Sequence, residues 1–521
     1  MKLSATWLSL LLFLAGLTSS LAFAPFNHFW LVFLLFPALF YTCFNTNLKQ
    51  AAKYAFSFSL GWFLSGIGWV FVSLDNFGGM PFIVSAAMIL ALAAYLAIYF
   101  TAAISLSHYL QKFSQYAIYT LPAFWCLFEW LRSLVLTGFP WLSIGYSQLN
   151  SPLSVMVPYV GEIGLTFSII LISVISAKHY SKLQIILPML VSIVLISALL
   201  PNQTATTSDK NSVKLTLVQG NILQENRWDP EFLWPVMEAY QDLSRPYYGD
   251  SDIIIWPEAA IPAVEPIAQD YLLNLDKATG YNNTALITGI INYQQYSNEF
   301  FNSLIVLGNQ NYRSGKGHYQ YGHDNRYNKH HLLPIGEFIP FEQWLRGISP
   351  LFDLPFSSFN RGEYIQADLK ANGFNVMAAI CYEIVFPQQI KANLKPDTDF
   401  ILTVSNDAWF GESHGPHQHL EIAQMRALEF GIPVVRVTNT GITAIIDELG
   451  QIQAQSPQFE EHILQHRLTL NRVDTLYLKL GNLPIIIISA LMLLAIFIHA
   501  IREKHMLKIT TERLKVDNGN I

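Results

Sequence analysis

Three residues of the types that can carry out acyl chemistry each stand beside an apolar run. Glu258 closes the stretch DIIIWPE, Cys381 closes NVMAAIC, and Lys329 lies in RYNKHHLLPIGEFIPF, which also supplies Glu337. A thiol is a weak nucleophile at neutral pH because only a few per cent of it is thiolate. A carboxylate can accept its proton; a nearby ammonium lowers its pKa and can later stabilise an oxyanion. Glu, Lys and Cys therefore form a sufficient set for acyl transfer through a thioester. Spacing alone does not bring the three together. Free cysteine is among the most buried residue types, so Cys381 also reads as a core thiol, WPE as a turn with a solvated acid, and Lys329 as a surface charge.

The elements that must position such residues follow from the hydrophobic pattern. From Val213 onward, VKLTLVQGNI, SDIIIWPEAAIP, TALITGIINY, FNSLIVLG, FNVMAAICYE, DFILTVSND, PVVRVTNT and GITAIIDE read as strands. Between them PEFLWPVMEAYQDLSR, LLNLDKATGY and HLEIAQMRALEFG read as helices. Strands alternating with helices predict a layered α/β domain. Ligands of open α/β sheets sit in the crevice beyond the strand ends, and polar residues of interest recur there.

Composition assigns much of the remaining chain to a bilayer. Of 521 residues 52% are hydrophobic and 13% charged, against about 25% charged in a soluble protein. Apolar runs near 5–22, 28–44, 55–75, 83–106, 116–135, 159–177, 182–200 and 483–501 each approach the roughly 20 residues of a spanning helix. The predicted organisation is a seven-helix bundle over 1–205, a water-facing domain over 212–478, a last spanning helix over 481–502 and a basic tail over 503–521. Lys2, Lys49, Lys53, Lys112, Lys178 and Lys182 all fall in loops of one side, together with Arg502, Lys504, Lys508, Arg513 and Lys515 of the tail. The alternate loops APFNH, DNFGGMP and TGFPWLSIGYSQLNSPLS hold neither Lys nor Arg. Positive charge marks the cytoplasmic side, so both termini are expected there and the large domain outside. A cleavable leader ending in AFA at 22–24 is the alternative for the first run; it leaves the downstream topology unchanged.

The net charge of −6 argues against a nucleic-acid partner. Three cysteines cannot build a disulfide framework. Cys43 and Cys126 lie in apolar segments, so Cys381 has no cysteine partner within its own domain. That suits a working thiol in an oxidising compartment.

The segments IIIWPEAAIP, YNKHHLLPIGEFIPF and AAICYEIVFP, in that order, resemble the nitrilase (carbon–nitrogen hydrolase) superfamily. More narrowly, VQGNILQENRW, TVSNDAWFGESHGPHQHLEIAQMRALEFGIPVVRVTNTGITAIID, LAFAPFNHFWLVF and TGFPWLSIGYSQ resemble the apolipoprotein N-acyltransferase family over essentially the whole chain. The resemblance implies a multi-span helical membrane protein of about eight transmembrane helices carrying a nitrilase-like αββα sandwich. It implies Cys381 as the nucleophile, Glu258 as general base, and Lys329 as stabiliser of thiolate and oxyanion, with the Tyr382 backbone N–H as a second donor. Glu337 and Glu383 would orient Lys329 or relay protons. Trp228, Tyr382 and Trp409 would hold lipid chains or gate entry, ordinary packing being the alternative.

The implied reaction is ping-pong. A phospholipid donates its sn-1 acyl chain to Cys381, and the α-amino group of a diacylglyceryl-cysteine at an apolipoprotein's N-terminus takes it as an amide. No cofactor is implied, the chain would work as a monomer, and the catalytic domain would lie on the periplasmic side of a bacterial inner membrane. The apolar stretch FIPFEQWLRGISPLFDLPF (338–356) would be a mobile lid touching lipid, or a buried hydrophobic hairpin.

Other clusters carry less. SHGPHQH holds His414, His417 and His419, and HDNRYNKHH holds three more, but no acid or cysteine completes a ligand set and the resembling family uses no metal. Arg426 and Glu429, three apart on a helix, are expected to pair with each other or with neighbouring loops, and Glu129 and Arg132 to pair within the bundle or lie at its edge. No glycine-rich phosphate loop occurs. Two rivals to the transferase are a membrane-tethered amidase or nitrilase, with water as acceptor, and a transporter or assembly protein whose outer domain is inactive. The eight-span pattern and the NDAWFG…MRALEFG block favour the transferase over the first, and the intact Glu258, Lys329 and Cys381 disfavour the second.

Overall fold

A computed structural model of the chain describes residues 4–182, 199–200, 205–227, 229–334, 336–338 and 359–518. Trp228, most of the seventh expected span and most of the expected lid therefore lie outside the described residues. The chain divides into two compact units: Met1–Gly68, Ala86–Pro201 and Lys479–Ile521 form one, and Trp69–Ser85 with Asn202–Leu478 form the other.

The first unit is helical. Its α-helices run over Ala5–Ser19, Val32–Phe44, Leu48–Gly66, Leu121–Arg132, Val157–Lys178 and Leu483–Asn518, with most of Phe82–Leu110. Among the described residues, Ala5–Ala22, Phe82–Leu110, Pro152–Lys178 and Leu483–Glu503 are long and apolar enough to cross a membrane. Leu48–Gly66 joined to Val70–Asn76 across a 59° bend adds a fifth, while Phe29–Phe44 is shorter. The expected span at 116–135 contains an α-helix only over Leu121–Arg132.

Two glycines allow helices to meet at backbone distance. A Cβ on Gly16 would stand 2.0 Å from the Phe58 carbonyl oxygen, and one on Gly61 would stand 2.2 Å from that of Phe13. Small residues serve this purpose where lipid gives helices no hydrophobic reason to associate. Arg132 is fully buried and bonds Glu129 and the carbonyls of Phe139 and Trp141. A charge in such a place requires partners of this kind.

The second unit is built on two sheets. The first runs in the order β13-β1-β2-β4-β5-β6: β13 His462–Arg472, β1 Thr206–Gln219, β2 Ile253–Ile255, β4 Ala285–Gln294, β5 Glu299–Gly308 and β6 Arg326–Asn328, with β3 Ile261–Val264 beside β4. The second runs in the order β12-β11-β10-β9-β8-β7: β12 Ile452–Gln455, β11 Ala444–Ile446, β10 Val434–Thr438, β9 Phe400–Ser405, β8 Phe374–Ile380 and β7 Leu369–Ala371. Strands β1, β2 and β4 are mutually parallel, as are β8, β9 and β10.

Alternation explains the layers. Leu215, Leu217, Ile253, Ile255 and Ile287 of the first sheet pack with Val376, Ala378, Ile380, Leu402, Val404 and Val435 of the second in one core. The intervening Ile254 and Leu286 instead join Val236, Met237, Tyr240, Leu272 and Leu275 from helices Leu233–Ser244 and Gln269–Tyr281. A strand covered on both faces has no polar side, so III reads as an unbroken apolar run. Helix Gly415–Phe430 packs against β10.

Candidate active site

Each of the three chemically capable residues follows a strand. Glu258 comes three residues after β2, Lys329 directly after β6, and Cys381 directly after β8. Strands β2 and β8, one in each sheet, thus present Glu258 and Cys381 from their carboxyl ends. The turn holding Glu258 is pinned from two sides. Arg227 donates to the carbonyl oxygens of Glu258 and Ala259, and Gly289 lets that turn lie against β4, where a Cβ would sit 2.2 Å from the Ala259 nitrogen. Cys381 has φ +53, a left-handed backbone that costs a non-glycine residue about 1–2 kcal/mol. Such strain persists only where the surroundings over-determine it, and it clusters at functional sites.

The side chains converge. Lys329 Nζ lies 3.3 Å from Glu258 Oε1 and 2.8 Å from Glu337 Oε2, and all three residues are buried. Asn302 Nδ2 donates to both carboxylates, at 2.8 Å each. The Asn406 backbone N–H donates to Glu258 Oε2 at 3.0 Å, and the Leu333 N–H to Glu337 Oε2 at 2.8 Å. Ser405 Oγ lies 3.4 Å from Cys381 Sγ and 2.6 Å from Asp407 Oδ1.

The electrostatics follow from two carboxylates around one ammonium. Burial pushes the Glu258 carboxyl up, but Lys329, Arg227 and the Asn302 bond outweigh it and hold the group below its usual range. Burial likewise opposes the Lys329 charge, yet Glu258 and Glu337 hold the amine well above an ordinary lysine. The Cys381 thiol is pushed up by burial and then by the Glu258 charge, against the pull of Lys329 and Ser405. Cys381 therefore rests as a neutral thiol beside an ionised carboxylate. That arrangement suits deprotonation during attack rather than a standing thiolate.

Glu383 is placed differently from Glu337. Its carboxylate accepts the backbone N–H groups of Ile380, His330 and His331, the Tyr327 hydroxyl and the Gln389 amide, at 2.7 to 3.0 Å. It ties the residue before the nucleophile to the two residues after Lys329, and it makes no hydrogen bond to the lysine. Glu383→Ala leaves those buried donors without an acceptor, at about 1–3 kcal/mol for each. Chemical unfolding of the variant in detergent should show a loss of at least that size for one donor; a loss under about 0.5 kcal/mol would remove the clamp from the account.

The Tyr382 ring is buried against His331 and Phe386. Trp409 is half-buried, and its carbonyl accepts the Ser73 hydroxyl at 2.7 Å. No local pattern in the sequence marks Asn302, Ser405, Asn406, Arg227 or Tyr327 as a site residue. For Asn302 the available signal is an amide inside the apolar run FFNSLIVLG. Among the described residues no group of three or more His, Cys, Asp or Glu side chains could hold a metal ion.

Comparison with known proteins fits these two units. A carbon-nitrogen hydrolase family model matches residues 214–477, and a model of the apolipoprotein N-acyltransferase N-terminal domain matches 15–175. The chain is 44% identical to an apolipoprotein N-acyltransferase of Shewanella oneidensis, over 96% of this chain and 98% of that one. It is 43% identical to one of Photobacterium profundum, over 90% and 91% respectively. A solved structure of a CN-hydrolase superfamily protein from Xanthomonas campestris is similar at TM-score 0.35 and 19% identity, over 50% of this chain and 91% of that one.

Proposed function

Since the chain belongs to the apolipoprotein N-acyltransferase family and is thus an acyltransferase, we propose that Cys381, Glu258 and Lys329 carry its reaction through an acyl-thioester. The observation that carries this reading is the buried ammonium of Lys329, held between Glu258 and Glu337 beside a thiol whose backbone is strained.

Cys381 Sγ attacks the sn-1 ester carbonyl of a phospholipid as its proton passes to Glu258. Lys329 and the Tyr382 N–H receive the developing oxyanion. The tetrahedral intermediate collapses to the thioester, and the departing lysophospholipid oxygen takes the proton from Glu258. In the second half the α-amino group of a diacylglyceryl-cysteine attacks the thioester and gives a proton to Glu258. The amide forms, the sulfur leaves, and Glu258 returns that proton to it. Glu337 holds Lys329 in place, and Trp409 receives the acyl chains. This is the final step of lipoprotein maturation.

Eight spans, with residues 212–478 on the periplasmic side of a bacterial inner membrane and both termini in the cytoplasm, accord with the one-sided distribution of Lys and Arg in the loops. Both substrates are lipid-anchored, which accounts for a hydrolase-type domain joined to membrane helices. One chain holds every group the scheme needs, so a monomer suffices.

Intact-mass analysis of the full-length protein incubated with phospholipid vesicles tests the scheme. Wild type should gain a fatty-acyl mass that neutral hydroxylamine removes and that Cys381→Ser does not gain. A diacylglyceryl-cysteine peptide should then discharge it and become N-acylated. No adduct despite demonstrable lipid binding would overturn the thioester.

A further inference from the structure

Behind the nucleophile lies a buried polar cluster that the scheme above does not use. His419, in helix Gly415–Phe430, brings its Nε2 to 3.1 Å from the carbonyl oxygen of Cys381. Its Nδ1 lies 3.3 Å from Arg436 Nη2 and 3.4 Å from Asp407 Oδ1. Asp407 also bonds Arg436 and the Ser405 hydroxyl. His419, Arg436, Asp407 and Ser405 are fully enclosed, at 0–1% exposure.

The partners fix the ring's protons. A backbone carbonyl only accepts, so Nε2 must carry hydrogen. In the neutral ring Nδ1 is then an acceptor, and the Arg436 guanidinium supplies the donor. Burial first, and then the Arg436 charge, hold His419 below the usual histidine range, which keeps the ring in this form. Asp407 stays ionised, because Arg436 overcomes the effect of burial.

Cys381 needs a restraint of this kind. Its left-handed φ of +53 must be imposed from both sides of the residue. On one side Glu383 holds the Ile380 N–H at 2.7 Å. On the other, His419 holds the Cys381 carbonyl. A second layer fixes the ring: Phe410 lies edge-on to it, with ring centres 6.2 Å apart, Trp69 packs on Phe410, and the Trp69 indole donates to Gln418.

We propose that His419 is a positioning residue for the nucleophile, its Nε2–H gripping the Cys381 carbonyl so that Sγ is held toward Ser405 and Glu258. The proposal rests on Cys381 being the nucleophile; it concerns a hydrogen-bond donor at one place, not the imidazole as an acid or base.

Two variants of the full-length protein separate these roles. Gln can present an N–H at a similar reach, while Leu fills the space without a donor. In His419→Leu, Cys381 acylation by phospholipid should fall about 10–100-fold per folded molecule with KM unchanged, as expected when positioning is lost. His419→Gln should stay within about threefold of wild type, because the donor survives. Alkylation of Cys381 by iodoacetamide, which needs no lipid, should change at least fivefold in the Leu variant and little in the Gln variant. That arm decides the proposal even if wild type forms no acyl adduct. Folded Leu protein with wild-type acylation and alkylation would overturn the proposal. If the Leu variant does not fold, a folded Gln variant that has lost more than thirtyfold in acylation overturns it equally, and one with near-wild-type acylation and alkylation supports it.

Discussion

Glu258→Gln should cut the rate of Cys381 acylation about 10²–10⁴-fold, the usual worth of a general base, and should at the same time make the thiol easier to ionise. The two effects run in opposite directions because one carboxylate serves both. In the resting site two carboxylates face a single ammonium, and Lys329 is already engaged by Glu258 and Glu337. The Cys381 thiol is pushed up by burial and then by the Glu258 charge. Replacing that charge by an amide removes the second cause and leaves Lys329 freer to face sulfur. The pH midpoint of iodoacetamide alkylation should therefore lie above the ordinary cysteine value of about 8.5 in wild type and move downward in the variant.

A wild-type midpoint near or below 7 would instead mean a standing thiolate–ammonium pair, and the general-base reading would fall. The substitution also disturbs its neighbours. Glu258 accepts from Asn302 and Lys329 on one oxygen and from the Asn406 N–H on the other. An amide nitrogen would meet a donor at one of these places, so the thermal stability of the variant must be measured beside its rate.

How much of this was legible in the sequence depends on distance along the chain. Glu258 and Cys381 are legible because each stands at the end of an apolar run, and strand ends are where a layered α/β sheet gathers its ligands, whereas Lys329 follows the polar stretch HDNRYN and is legible only through the order of the three segments. The strands themselves were readable as apolar runs bounded by glycine, proline and charge. Asn302 was not readable: it sits within β5, and only the antiparallel register of β5 with β6, Ser303 opposite Asn328, brings it beside the residue that follows β6.

Ser405, Asn406 and Asp407 lay in a block that matched the resembling family, yet no local rule tells which of three adjacent polar residues meets a sulfur 24 positions earlier. In the sequence His419 stands out only as one of a cluster of histidines. Its partners are a carbonyl 38 residues away and an arginine on another strand, pairings that exist only once β8, β9 and β10 lie side by side.

Pairs spaced along one helix show the converse case. Arg426 and Glu429, and Arg132 and Glu129, were spaced to pair on helices and do so while fully or nearly fully buried. By contrast, the expected span 55–75 bends between Gly66 and Val70, and Trp69–Ser85 groups with the hydrolase-type unit. Hydropathy cannot register that break, because indole and phenyl side chains are apolar against lipid and against protein alike.

Lys329→Met should abolish acyl transfer and reverse the sign with which acid acts on stability at this site. Lys329 is 1% exposed and is the cation between two buried carboxylates. Removing one partner of such a cluster costs about 3–5 kcal/mol, because the remaining carboxylates stay buried with less compensation, Arg227 still drawing Glu258 down. In wild type the lysine's raised pKa gives a contribution fully present below its unfolded value of about 10.4, so it is constant across the neutral range. Glu258 is held below its usual range. Its contribution is therefore present above its unfolded value of about 4.3 and lost as pH falls further.

Without Lys329, burial and the facing Glu337 act on Glu258 with less opposition, and two like charges sharing one site force one pKa upward. The pair then folds more favourably with a proton bound, so acid should relieve the variant. The difference in unfolding free energy between wild type and Lys329→Met should be greatest near pH 8 and shrink as pH falls toward 5.5. A difference that stays constant over that range would show that the two carboxylates find another cation or open to water. Asn302, which now bridges them, would then be insufficient to hold them together.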